Sequence, residues 1–184
     1  MKKVFILFVL FVYGEVALSQ TSPLALPNTW ASVNNNGIGV SFYIPANYQV
    51  LDTLNMSFYA SLKDSIAIEM HYVNTNLVNF GELMPTNPPN MTPIDTLDKF
   101  VEGALFTTAG TLLSKTLVTH NNGIIKGYEV EINFTNEANE PSKLFHRYYW
   151  FKKKLFVFST EAKVNFTSTL INYKNTFFES IAFF

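Results

Sequence analysis

The chain has no cysteine among its 184 residues. That excludes disulfides, thiolate metal sites, a cysteine nucleophile and lipid attachment through an N-terminal cysteine. Charge is also scarce: 13 basic and 14 acidic side chains make up 15 % of the chain and nearly cancel. With so little positive charge, neither nucleic acid nor an anionic membrane surface is expected as the main partner. No apolar run reaches the roughly 20 residues that a bilayer-spanning helix needs. A Gly-rich phosphate loop, a G-x-S-x-G elbow and an H-E-x-x-H pair are missing too, which removes the most legible routes to an enzyme. The expectation is a non-catalytic protein with no cofactor and no metal site.

What the chain has in quantity is apolar and aromatic. Hydrophobic residues are 48 % and aromatics 16 %, with 18 Phe. This composition excludes disorder and predicts a large core filled by rings. The length suits one domain and is short for two.

Residues 1–19 read as a signal peptide. Lys2 and Lys3 supply the positive start, Val4–Tyr13 the apolar run, and Ala17 and Ser19 the small residues before a cut at Gln20. Cleavage removes Lys2, Lys3 and Glu15, leaving 11 basic and 13 acidic side chains. The expected location is therefore secreted or periplasmic, in a bacterial envelope, with no integral membrane span after signal removal. Asn-X-Ser/Thr triplets occur at Asn55, Asn90, Asn133 and Asn165; the chain is rich in Asn, and chance accounts for them.

Residues 20–29 carry Pro23 and Pro27 without periodicity and read as an extended lead-in to a single domain over 30–184. Trp30–Val33 and Ile38–Ile44 flank Asn34-Asn35-Asn36-Gly37, a hairpin pattern. Asn55–Leu62 and Ser65–Asn74 form a second pair around Lys63-Asp64. Residues 75–91 contain Pro85, Pro88 and Pro89 and read as a loop long enough to be functional. A helix follows, with Thr92 as N-cap, Pro93 at its first position and Asp95, Asp98 and Glu102 near the positive end. Leu97, Phe100, Val101, Ala104 and Leu105 make its apolar stripe, and Gly110 marks its end.

Leu113–His120 is the next strand, and a three-strand meander runs from Ile124 to Thr160. In its first strand Tyr128, Val130, Ile132 and Phe134 alternate with Glu129, Glu131 and Asn133, the pattern of one wet face. The other two strands do not alternate. Leu144, Tyr148 and Trp150 oppose Phe145, Tyr149 and Phe151, while Leu155 and Val157 oppose Phe156 and Phe158. Strands apolar on both faces need cover on both faces. Phe166, Leu170, Tyr173 and Phe177 predict a last amphipathic helix, with Ser180–Phe184 as a short closing strand. The fold class expected is α+β, an antiparallel sheet covered by helices on both faces as an α/β/α sandwich.

This order of elements resembles the PsbP-like superfamily. The resemblance is carried by the hairpin with GVSFYIPANYQV, the helix opening TPIDTLDKFVEG, the aromatic meander and the last helix ending NTFFESIAFF, over residues 30–184. Phe42, Ile44, Pro45 and Tyr48 hold the F-x-I/V-P…aromatic start, where Trp is commoner at the last place. That group includes the photosystem II extrinsic protein, a eukaryotic Ran-binding protein and exported bacterial domains. The resemblance implies a scaffold rather than an activity, and no family binding residue carries over.

Glu69 and His71 share one strand face at a spacing able to hold a metal, but two ligands are too few for a structural zinc site. A solvated polar face explains them. His120, beside a turn, is expected to be exposed; His146 is expected to be hydrogen-bonded and partly buried. Glu129 and Glu131 are paired carboxylates that simple alternation explains without acid–base chemistry. Lys152-Lys153-Lys154 is a basic hairpin tip. A protein partner is the leading expectation, with Lys152, Lys153, Lys154, Glu129 and Glu131 as contact residues. The alternatives are a small-ligand or lipid carrier with an aromatic pocket under the 75–91 loop and, least favoured, a hydrolase using Glu129, Glu131 or His146.

Overall fold

The computed structural model describes residues 30–52, 56–74, 93–152 and 154–184. The signal peptide at 1–19, the lead-in at 20–29, the Thr92 cap, the 75–91 loop and Lys153 lie outside the described residues.

Among the described residues ten strands and two α-helices follow one another in the order β1 (Trp30–Asn35), β2 (Val40–Pro45), β3 (Gln49–Asp52), β4 (Met56–Lys63), β5 (Ile66–Asn74), α1 (Pro93–Thr108), β6 (Thr111–His120), β7 (Ile125–Thr135), β8 (Pro141–Phe151), β9 (Lys154–Lys163), α2 (Thr167–Glu179) and β10 (Ala182–Phe183), with a 3-10 turn at Val164–Phe166 before α2. Seven strands form one antiparallel sheet in the order β3-β4-β5-β9-β8-β7-β6, and a smaller sheet has the order β1-β2-β10. The strands apolar on both sides, β8 and β9, lie inside the large sheet, each with a neighbour on either side.

The chain lays down β3, β4 and β5, then crosses to the far edge at β6 and returns strand by strand until β9 meets β5. That crossing spans four strand spacings, about 19 Å. The 16-residue helix α1, about 24 Å long, lies on this connection and packs on β7 and β8. At its end Ala109 turns left-handed at φ 47°, and the Gly110 amide donates to the Leu105 carbonyl at 3.1 Å. This closure satisfies a carbonyl that the last turn would otherwise leave open.

Alternate residues of the central strands enter two separate clusters. Leu144, Tyr148, Leu155 and Val157 pack with Leu97 and Val101 of α1. Phe145, Tyr149, Phe156 and Phe158 pack with Leu170, Phe177 and Phe178 of α2 and with Val33, Val40, Phe42 and Ile44 of the small sheet. Phe42 is the junction, its ring edge-on to Tyr59 at 5.4 Å, Phe158 at 5.7 Å and Phe177 at 5.9 Å. The layer containing α2 is thus part helix and part sheet, the hairpin of β1 and β2 sharing that cover with the helix. β10 completes the small sheet by pairing Ala182 with Ser41 and Phe183 with Val40. Phe183 packs against Tyr149 and Phe156, each with ring centres 5.2 Å away.

Two glycines allow close approaches. A Cβ at Gly127 would lie 2.2 Å from the Tyr148 carbonyl oxygen, so β7 and β8 meet only because it has none. Gly39, at φ +77°, carries the turn after β1 and accepts from the Phe184 amide at 3.2 Å.

Candidate interaction surface

Glu129 points to the side of the sheet that carries α2. It accepts from Arg147 Nε at 2.6 Å and from Lys174 Nζ at 2.8 Å. Arg147 reaches on to the Phe178 carbonyl at 2.9 Å and lies over the Phe178 ring. Burial alone pushes the Glu129 carboxyl up, but hydrogen bonds from Lys174 and Arg147, with their charges, hold it below its ordinary value. Glu131 pairs with Lys143 at 2.5 Å. The paired carboxylates therefore tie β7, β8 and α2 together, and each faces its own cation.

The basic tip is also drawn inward. Lys152 turns the chain at φ 50° and donates to the Phe184 carbonyl at 3.3 Å. Lys154 donates to the carbonyls of Gly37 at 3.4 Å and Ile38 at 3.2 Å. Burial, aided by the Lys152 charge, lowers its pKa. These two ammonium groups join the large sheet to the small one.

The histidines divide differently from the expectation. His120 is half-buried rather than exposed. β6 ends beneath the closing strand, so its ring packs edge-on to Tyr149 and Phe183, and Nε2 hydrogen-bonds the Tyr149 hydroxyl at 2.9 Å. Burial and then the Arg147 charge lower its pKa. His146 is fully rather than partly buried, hydrogen-bonded through Nδ1 to the Tyr148 hydroxyl. Burial, followed by the charge on His71, lowers its pKa to about 3, so it is neutral at any physiological pH. His71 pairs with Glu69 at 3.0 Å. On α1, Asp98 pairs with Lys115 at 2.5 Å and Glu102 with Lys99 at 2.6 Å.

The feature that sequence reading missed is the edge formed by β6. It pairs with β7 alone, so among the described residues its outer N–H and C=O groups meet no other strand. It is ten residues long, against four for β3 at the opposite edge. Its leucines stay in solvent, Leu112 38 %, Leu113 49 % and Leu117 54 % exposed, while Val118 packs against the core. A lysine commonly guards such an edge against strand addition. Here Lys115 turns its head to Asp98 and lies over the Tyr128 ring at 4.3 Å. The register shift between Leu112 and Ser114 twists only the first residues of the strand. A long, open edge with exposed leucines is the geometry that accepts an extended segment.

Compared with solved structures, the chain is similar to CyanoP, the cyanobacterial PsbP of Synechocystis. The TM-score is 0.59 at 10 % identity, over 89 % of this chain and 98 % of that one. The fold is PsbP-like. A second PsbP-like match is LpqN of Mycobacterium tuberculosis, described as involved in cell envelope biogenesis, with a TM-score of 0.52 at 11 % identity over 84 % of this chain and 90 % of that one. No family model matches the chain, and no curated protein matches it by sequence. Likeness at these identities fixes the PsbP-like scaffold, and the function is argued from the surface. Among the described residues no helix is long and apolar enough to cross a membrane.

Proposed function

We propose that this chain is an exported, non-catalytic PsbP-like domain that holds another protein by taking an extended segment of it onto β6. The observation that carries the reading is the open edge itself, ten residues long with Leu113 and Leu117 about half exposed. In this reading α1 covers one face of the large sheet and α2 with the small sheet the other, so the edge is the place where backbone groups remain to be paired. Lys152, Lys153, Lys154, Glu129 and Glu131 act as subsidiary contacts. Export rests on the leader at residues 1–19, and an envelope setting agrees with the description of LpqN. N-terminal sequencing of the exported protein is expected to begin at Gln20.

Capture from envelope and culture fractions tests the reading. Wild-type protein should retain a specific partner, and Leu113→Lys with Leu117→Lys should lose it while the protein stays folded. Both side chains are exposed, so these changes are expected to alter stability by only about 0.5 kcal/mol. Equal capture by the double variant would remove β6 from the contact.

A further inference from the structure

The side of the large sheet that carries α1 has a second feature, centred on β5 and β9. In register, β4, β5, β9 and β8 place Ala60, Glu69, Ser159 and His146 in one row across the sheet. Leu62, Ala67, Glu161 and Leu144 form the row on one side, and Phe58, His71, Val157 and Tyr148 the row on the other. Ala60, Ala67 and Ser159 are small and stand among larger neighbours, a size difference that would leave a shallow depression in the sheet surface. Glu69, Glu161, His71 and His146 surround it, and the Phe58 ring lies against His71 with centres 4.6 Å apart.

Glu161 is unlike the carboxylates held in this fold's ion pairs, among them Glu69, which pairs with His71 at 3.0 Å. Glu129, Glu131, Asp98, Glu102 and Glu140 each face a lysine or arginine. Glu161 is half-buried, and no hydrogen bond or ion pair from a described residue reaches it. The Ser159 side chain, only 6 % exposed, has no hydrogen bond among the described residues. It stands between Glu69 and His146, its cross-strand neighbours. His146, equally buried, is held through Nδ1 by Tyr148, which leaves Nε2 without a partner among the described residues. Among the described residues the fully buried side-chain polar atom without a partner is Thr160 Oγ1, on the other face, so Ser159 Oγ and His146 Nε2 are open to a partner from outside. Burial and the Glu69 charge push Glu161 up to about 7, consistent with a carboxylate waiting for a cation.

We infer that this depression binds a small organic amine, with Glu69 and Glu161 accepting from its ammonium or guanidinium N–H groups, Ser159 supplying a hydroxyl contact and Phe58 an aromatic wall. Two acceptors on neighbouring strands suit a planar or multi-donor cation, and an aromatic face beside them favours positive charge. A metal ion is the weaker occupant, because among the described residues no group of three or more ligating side chains is placed to hold one. The site is separate from β6 and stands or falls independently of the proposed protein partner.

Calorimetric titration of the purified protein with agmatine at pH 8 tests the inference, with putrescine as a second probe and glutamate as the anionic control. Saturable binding of the amines is expected and none of glutamate. Glu69→Gln and Glu161→Gln should each weaken binding roughly tenfold, the loss of one charge-assisted contact, and the double variant should abolish it. Binding should also weaken on acidification as Glu161 takes up a proton, while His146 stays neutral; Glu69, His71 and Tyr148 also face the site. In parallel, amide shifts of the wild-type protein should move at residues 67–71 and 157–161, a readout that needs no variant to fold. Absence of saturable binding, shifts confined to other strands, or full-strength binding by the double variant would overturn it.

Discussion

Glu129 and Glu161 stand on opposite sides of the same sheet, and their surroundings drive them in opposite directions. Glu129 has two cations within hydrogen-bonding distance, and its folded pKa is depressed. It therefore adds stability above its ordinary value that is lost as the pH falls through the depressed one. Glu161 has no cation and is raised to about 7 from an ordinary 4.5. Its contribution is fully present below about 4.5 and is lost as pH rises through 7, because there the folded state holds a proton that the unfolded chain releases. His146 adds an opposing slope: its folded pKa is about 3, so stability falls as the pH drops from its ordinary 6.5 toward that value. The two partly cancel in the wild-type protein, which makes the variant difference the useful quantity. Glu161→Gln is expected to match wild type near pH 4.5 and to exceed it at pH 8 by on the order of 1–3 kcal/mol in urea unfolding. A difference that does not change with pH would contradict the assignment. Neither partner set was legible from sequence. Glu129 and Glu131 looked alike on one strand, and Glu161 drew no notice, because the cations come from β8 and α2 and the depression from four strands together.

Elements were more legible than sites. The hairpin of β1 and β2, both helices, and the three strands after Ile124 follow from local pattern: Asn and Gly at turns, apolar residues at three and four, and double-sided aromatic runs. β3 escaped because four exposed residues carry no alternation, so only pairing with β4 makes it a strand. β6 was recognised as a strand but not as an edge, since its neighbours are decided by where α1 delivers the chain. That placement has a kinetic consequence. Amide hydrogen exchange should be slowest in β8 and β9, which are paired on both sides and buried, and much faster on β3 and β6, where one side meets no strand among the described residues. Protection on β6 in the free protein equal to that on β9 would show that its edge is covered.

At the scale of the molecule, the two sheets share one hydrophobic cluster through Phe42, Phe177 and Phe183, so the small sheet has no core of its own to keep. The two tryptophans report on them separately: Trp30 lies in β1 of the small sheet and Trp150 in β8 of the large one. Unfolding followed by fluorescence of Trp30→Phe and of Trp150→Phe should give one midpoint after allowance for each substitution, as for a single cooperative unit. Separate transitions would mean that the small sheet is an independent lid. On the reading proposed above, the outer edge of this scaffold is the site of recognition. The most direct test is amide exchange of the captured complex against the free protein. Binding is predicted to slow exchange along Thr111–His120 by strand addition. Protection that appears instead on the Lys152 turn, on α2 or on β3, with β6 unchanged, would contradict recognition through the β6 edge.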